Sequence, residues 1–344
     1  MSKPSLKVLP EGRRKMITLS EGDLVTTGYL QTDQRLPLVI QPALRDVKLF
    51  EWAGNNSEFV ESQLLSHGAI LFRGFNVGTV AEFEKFITST SGPLLEYTYR
   101  STPRTQISGN IYTSTEYPAD QSIPLHNEMS YTRNWPMRIC FFSLKTAAEG
   151  GETPIADSSK VFERISPEIR EIFMKTNVMY VRNYGDGVDL PWQQVFGTKN
   201  KSDVEAYCRE VGMEFEWKRG DRLRTRQTCQ AVASHPKTGK SIWFNQAHLF
   251  HASSLDQAVY DSLSSSFEEE DLPRNALLGN GSPIDPDVLN HIRQAYAQEE
   301  IVFKWQEGDI LMLDNMLVAH GRKPYAGTRR VVVGMAQPFG IRNN

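Results

Sequence analysis

Two short stretches far apart in the chain restrict its fold more than any other feature. Pro124-Leu-His-Asn-Glu-Met-Ser130 carries an imidazole and a carboxylate two residues apart, and Val318-Ala-His-Gly321 supplies a second imidazole near the other end. In an extended segment, residues two apart point to the same side, so His126 and Glu128 can reach one ion from a single strand. His320 would complete a set of two histidines and one carboxylate. That facial arrangement suits ferrous iron and leaves coordination positions open for small ligands. Only a fold that lays distant strands side by side can assemble it.

Further residues fit such a site. Gly150-Gly-Glu-Thr-Pro-Ile-Ala-Asp157 follows the first pair and offers the hydroxyl of Thr153 as a donor to a carboxylate. After His320, Tyr325-Ala-Gly-Thr328 reads as a turn that sends the chain back antiparallel, so the strand Arg329 to Ala336 is expected to run beside the distal histidine. On it, Arg330 presents a planar fork that binds carboxylates bidentately and would anchor a dicarboxylic co-substrate. The same three ligands would also accept zinc, which keeps a zinc-dependent hydrolase open. In that reading Thr153 and Arg330 have no clear task.

With these residues in place, the chain resembles the taurine dioxygenase and clavaminate synthase superfamily of iron(II) and 2-oxoglutarate dependent oxygenases. It is most similar to the syringomycin-type branch, having His-x-Glu where taurine dioxygenase has His-x-Asp. The likeness runs from Gly68-Ala-Ile-Leu-Phe-Arg-Gly-Phe75 to Pro338 and includes Gly109-Asn-Ile-Tyr-Thr-Ser-Thr-Glu-Tyr-Pro118, Tyr184-Gly-Asp186, Trp243-Phe-Asn-Gln-Ala-His248 and Leu313-Asp-Asn315. By position, the resemblance implies that His126, Glu128 and His320 hold Fe(II), and that Thr153 and Arg330 hold the far end of 2-oxoglutarate. It also implies a mainly β fold with helical embellishment: a double-stranded β-helix, the cupin-like jelly roll, with an insertion at about 160–300 covering the active site. One domain is expected over 21–344, preceded by a flexible tail over 1–20.

The implied reaction consumes O2 and oxidatively decarboxylates 2-oxoglutarate to succinate and carbon dioxide while hydroxylating a substrate. Epoxidation and desaturation belong to the same family chemistry. Halogenation is disfavoured, because family halogenases leave the carboxylate position empty for chloride and Glu128 fills it. His248 and Ser122 fall at positions that line the taurine dioxygenase substrate pocket. Four residues after Arg330, Gly334 stands where taurine dioxygenase and clavaminate synthase carry a second arginine for the substrate anion. A masked carboxyl group fits that loss, and the resemblance points to an amino acid or aminoacyl substrate, free or tethered to a carrier protein, in antibiotic and other specialised-metabolite biosynthesis. Arg100 and Arg104 are candidates to meet a substrate carboxylate, and the basic run from Lys218 to Arg226 is a candidate carrier dock.

Composition agrees with an enzyme acting on small molecules. A net charge of −3 over 344 residues gives no general attraction to nucleic acid or anionic membrane, and 40% hydrophobic content supports a substantial core. Met1 to Lys15 holds no apolar run of the kind a secretory signal or membrane span requires. Cys140, Cys208 and Cys229 are odd in number and widely separated, so they describe neither a disulfide framework nor a zinc ribbon, and they suit a reducing cytoplasm. A non-catalytic jelly-roll binding protein is the remaining alternative.

Overall fold

The computed structural model describes residues 24–96, 99, 104–185, 187 and 189–340. The expected tail over 1–20 and the candidate Arg100 lie outside those residues. An eight-stranded sheet runs in the order Val25–Gln31, Gln34–Pro42, Ala69–Phe72, Ile310–Asp314, Asn134–Lys145, Arg330–Gly340, Ile111–Thr113, Gln106–Ser108. A three-stranded sheet, Ile123–His126, Val318–Arg322 and Ile155–Asp157, closes over it. Between them lies one apolar core, with Ile139, Phe141, Leu311, Val331 and Val333 meeting Ile155 and Val318. This is the expected mainly β jelly-roll architecture, in which strands remote in sequence become neighbours.

The outer face of the large sheet is covered by helices. The periodic apolar residues after Thr79 predict a helix to Thr88, and the structure extends it over Val80–Ser91. Thr79 and Glu82 form a capping box at its start, and Phe83, Phe86 and Ile87 are buried on its inner stripe. Likewise Ser166 caps the helix Pro167–Thr176, with proline at its first turn, where the missing N–H is not needed.

Residues between Ser158 and Glu299 form a separate layer around a four-stranded sheet, in the order Glu214–Trp217, Leu223–Cys229, Val178–Tyr184, Arg274–Leu278. Its core continues into Leu125, Ala156 and Ala319 of the three-stranded sheet. Leu125 and Ala319 alternate with His126 and His320, and Ala156 pairs with Ala319, so most of this layer buttresses the face of the small sheet turned away from the histidines. The strand-like runs Thr225 to Ala233 and Ser241 to Asn245, joined by the turn Pro236-Lys-Thr-Gly-Lys240, predict a hairpin, which the structure corrects in detail. The ladder breaks at Gln230, whose amide donates to the carbonyls of Ser130 and Thr132, and the hairpin is the shorter pair Val232–Ser234 and Ser241–Trp243.

A second correction concerns the return strand. Arg330–Gly340 does not run beside the His320 strand: it pairs with Asn134–Lys145 and Ile111–Thr113 in the opposite sheet. The short pair Tyr325–Ala326 and Glu149–Gly150 carries the chain across. The site is therefore built between sheets, not along one.

Candidate metal centre

Antiparallel pairing places His320 directly opposite His126, with ring centroids 4.6 Å apart. Gly321 makes this approach possible, since a Cβ there would stand 2.6 Å from the Ile123 carbonyl oxygen. The strand ends at His126, so Glu128 is not carried by extended backbone. It opens a turn instead, in which Ser130 N–H donates to Asn127 O and Met129 adopts φ 57°. That turn swings the carboxylate back until Glu128 Oε2 lies 3.8 Å from His320 Nε2. One donor atom from each of the three residues lies within 4.8 Å of the others.

Both imidazoles are prepared to donate lone pairs. Burial pushes His126 below the usual histidine range, against the opposing pull of Glu128, and pushes His320 well below it, since a proton there would also add like charge beside the facing His126 ring and the Arg104 guanidinium. His126 Nδ1 sits 2.8 Å from Pro124 O, which makes it the N–H donor and leaves Nε2 as the acceptor. His320 is packed on the Phe141 ring at 5.0 Å. Neutral imidazoles beside one carboxylate form a donor set that fits a divalent metal ion.

Buried amides hold the turn. Asn315 Oδ1 accepts Glu128 N–H at 2.8 Å, while its Nδ2 donates to Glu128 O and Pro136 O, each at 2.9 Å. Asn127 Nδ2 donates to Asn315 O at 2.7 Å, and Gln246 Nε2 donates to Asn127 O at 2.8 Å. Asp314 accepts the N–H groups of Met316 and Leu317 and is held by Arg138 and His235, which shapes the entry to the His320 strand. The motifs around Leu313-Asp-Asn315 and Phe244-Asn-Gln-Ala-His248 thus act through the backbone. Asn315→Ala strands three buried backbone groups and is expected to destabilise the protein by about 3 kcal/mol. Urea unfolding measures this, and a loss under about 1 kcal/mol would remove Asn315 from that role.

The two adjacent arginines divide sharply. Val331, Val333 and Met335 face the core between the sheets, whereas Val332 faces the helices. The same alternation sends Arg330 to the outer side, where it is exposed, because the register shift between Arg330 and Val331 skips Leu144 of the partner strand and adds no residue to this one. Arg329 is the inward residue. Its Nε donates to Gly151 O at 2.8 Å, its Nη1 lies 3.3 Å from Ser114 Oγ, and its guanidinium lies 5.7 Å from the Tyr325 ring centre. Burial and the nearby charge of Arg322 push Arg329 down to about 10, so a negative partner would be welcome there. A Cβ on Gly151 would lie 2.9 Å from Arg329 Cδ and one on Gly150 2.2 Å from Pro324 O, which explains the glycine pair of that loop. Thr153 is buried and accepts from Trp305 Nε1 at 3.1 Å, and Trp305, Gly151, Arg329 and Val331 line a cavity of about 370 Å³.

Residues 32–336 match the family described as taurine catabolism dioxygenase TauD, TfdA family. The chain belongs to that family. It is a non-haem iron dioxygenase that uses Fe(II) and 2-oxoglutarate. Membership sets aside both the zinc hydrolase and the non-catalytic reading. Among similar proteins, the dapdiamide synthesis protein DdaC of Enterobacter agglomerans is 41% identical over 279 residues, covering 81% of this chain and 85% of that one. A clavaminate synthase-like protein of Arabidopsis thaliana is 29% identical over 307 residues, covering 86% and 89%. The fold is similar to that of PvcB from Pseudomonas aeruginosa, with a TM-score of 0.54, 14% identity and 92% of each chain covered.

The other expected contacts of this dioxygenase fall out differently. His248 Nε2 donates to Leu125 O at 3.0 Å and its ring stacks on Tyr296, and burial pushes it down to about 3. It is a neutral histidine supporting the first ligand strand from behind. Ser122 is exposed just ahead of that strand. Arg104, a candidate for a substrate carboxylate, is buried and its Nη2 donates to Glu128 Oε2 at 2.7 Å. Of the basic run, Arg224 is buried on Asp271, and Lys218 shares that same carboxylate, so these two charges are spent inside the fold. No helix among the described residues is long and apolar enough to cross a membrane.

Proposed function

We propose that His126, Glu128 and His320 hold the iron and that Arg329, not Arg330, receives the distal carboxylate of 2-oxoglutarate with Thr153 beside it. The enzyme then hydroxylates an amino-acid-derived substrate of specialised-metabolite biosynthesis, presented as an aminoacyl group on a carrier protein. The observation that carries this reading is the convergence of three donor atoms within 4.8 Å on facing strands. Iron(II) bound there supplies dioxygen activation coupled to decarboxylation of 2-oxoglutarate to succinate. The residues would supply the geometry: neutral imidazoles and one carboxylate as donors to the ion, and the Arg329 guanidinium as a fork for the far carboxylate.

The substrate reading is supported by the likeness to a dapdiamide synthesis protein and by the residues just beyond Arg329. Counting four positions from the inward arginine reaches Val333, buried in the core, and not Gly334. Gly334 has no room either, since a Cβ there would meet Ile87 Cδ1 at 2.5 Å. Neither position offers a second cation for a free substrate carboxyl or sulfonate, which favours a substrate whose carboxyl is masked as a thioester. Glu128 fills the position that a halide would need, so oxygen transfer is favoured over halogenation.

The test is direct. Anaerobic addition of iron(II) and 2-oxoglutarate to the full chain is expected to produce a visible charge-transfer band, and oxygen should then release succinate in step with substrate consumption. Carrier-tethered aminoacyl groups should outperform the free amino acids. Absence of the band would overturn the iron reading, and equal or better turnover of free amino acids would overturn the tethered substrate.

A further inference from the structure

A second cavity, of about 690 Å³, lies at the end of the jelly roll remote from Arg329. Both cavities touch the paired strands Asn134–Lys145 and Arg330–Gly340: the one at Arg329 is lined by Ser143 and Val331, and this one by Pro136 and Phe339. Pro136 and Ser143 are seven residues apart on one strand, a run of about 23 Å. The metal centre stands between them, since His320 packs on Phe141 of that strand. Met129, which directly follows Glu128, forms part of the wall of the second cavity. One amide, Asn315 Nδ2, holds the carbonyls of both Glu128 and Pro136, so this cavity backs onto the turn that carries the metal-binding carboxylate.

The lining has two characters. Leu95, Met129, Trp135, Met335 and Phe339 make an apolar floor, buried or half-buried, with the Trp135 and Phe339 rings 5.3 Å apart. Glu96 and Glu210 are exposed on the same cavity, and neither has an ion-pair partner among the described residues. Arg133 is the other charged group of the lining, and its guanidinium is engaged by Thr228 O, through Nε at 3.1 Å and Nη2 at 3.0 Å. Aromatic rings beside unpaired carboxylates favour a cation with an apolar body and reject an anion. A free amino acid carries both an ammonium and a carboxylate, whereas an aminoacyl ester, amide or thioester keeps the ammonium alone. Only the acylated form fits this lining without bringing a carboxylate against Glu96 and Glu210.

Resting on the function proposed above, we propose that this cavity receives the aminoacyl group of the substrate, with an apolar side chain on the floor of Trp135, Met335 and Phe339 and its ammonium toward Glu96 and Glu210. The acidic residues select the acylated amino acid over the free one, and the floor selects an apolar side chain over an acidic one. Both selections are made by this chain's own side chains and need no metal. The volume falls in the range of sites that enclose small molecules.

Calorimetric titration of metal-free full-length protein with three probes tests this: L-phenylalaninamide, a cation; L-phenylalanine, a zwitterion; and N-acetyl-L-phenylalaninamide, which is neutral. L-Phenylalaninamide is expected to bind about fivefold more tightly than either of the others, the size of a partly exposed charge contact. Glu96→Gln combined with Glu210→Gln removes both charges at exposed positions, so the fold is kept, and should bring L-phenylalaninamide down to the affinity of the neutral probe. Failure of the wild type to bind L-phenylalaninamide, equal binding of the three probes, or a preference that persists in the double variant overturns the proposal.

Mn(II) then locates the bound probe. With the ion held by the three donors, the proton resonances of L-phenylalaninamide should broaden in the wild type, and in His126→Ala the broadening should disappear while the probe still binds. Binding without broadening in Mn(II)-loaded wild type sinks the substrate role of the cavity. A wild type that holds no Mn(II), or broadening that survives in His126→Ala, discards the iron reading instead, because the titrations in metal-free protein stand apart from it.

Discussion

His320→Ala is expected to eliminate succinate formation and to weaken iron(II) binding by more than about 100-fold, beyond what loss of an outer hydrogen-bond partner does to a metal site. The reason is the cross-strand register. His320 faces His126 directly and its Nε2 points at Glu128, so no neighbouring side chain of its strand can take its place. The fold should survive, because the histidine side chain carries no backbone-pairing duty and its removal leaves a modest gap against Phe141, on the order of 2 kcal/mol. Anaerobic iron titration together with thermal melting separates the two effects. A variant that melts near wild type and still turns over 2-oxoglutarate would show that the donors belong to no common ion.

Arg329→Ala should raise the 2-oxoglutarate concentration needed for half-maximal succinate release by about 100-fold, the size of a bidentate charge-assisted pair worth roughly 2–3 kcal/mol. Arg330→Ala should stay within about twofold, as for a solvated surface cation. Arg329→Lys is expected between them, since an ammonium keeps the charge but loses the fork. Steady-state kinetics on the three variants decide the matter. A larger effect at Arg330 than at Arg329 would restore the assignment read from the sequence alone and contradict the observed side-chain directions.

The arginine pair shows what a one-dimensional reading can and cannot resolve. Tandem Arg329-Arg330 after the distal histidine is legible as a carboxylate anchor, and so are Thr153 and the three metal-binding candidates. Which arginine turns inward depends on strand parity, and Val331 and Val332 are both apolar and both buried, on opposite faces of the sheet, so the residue types leave that parity unmarked. Arg104 presents the same difficulty from another side. It lies outside every motif and reads as a loop cation, yet folding buries it against Glu128. Asn315 and Gln246 are recognisable as parts of motifs, but their work is done on backbone groups more than a hundred residues away.

Local chemistry written in the chain decided the helices and the donor types. Thr79 with Glu82 and Ser166 with Pro167 start their helices by satisfying or omitting end N–H groups, an effect confined to a few neighbouring residues. His-x-Glu and a remote histidine likewise declare a set of metal donors. What the tertiary structure alone decided is distance and direction: the turn that swings Glu128 back, the opposed registration of His126 and His320, the inward face of Arg329 and the cation on Glu128. Those features arise from pairing and packing between segments far apart in sequence, where burial and register are properties of the assembled sheets and no single stretch encodes them.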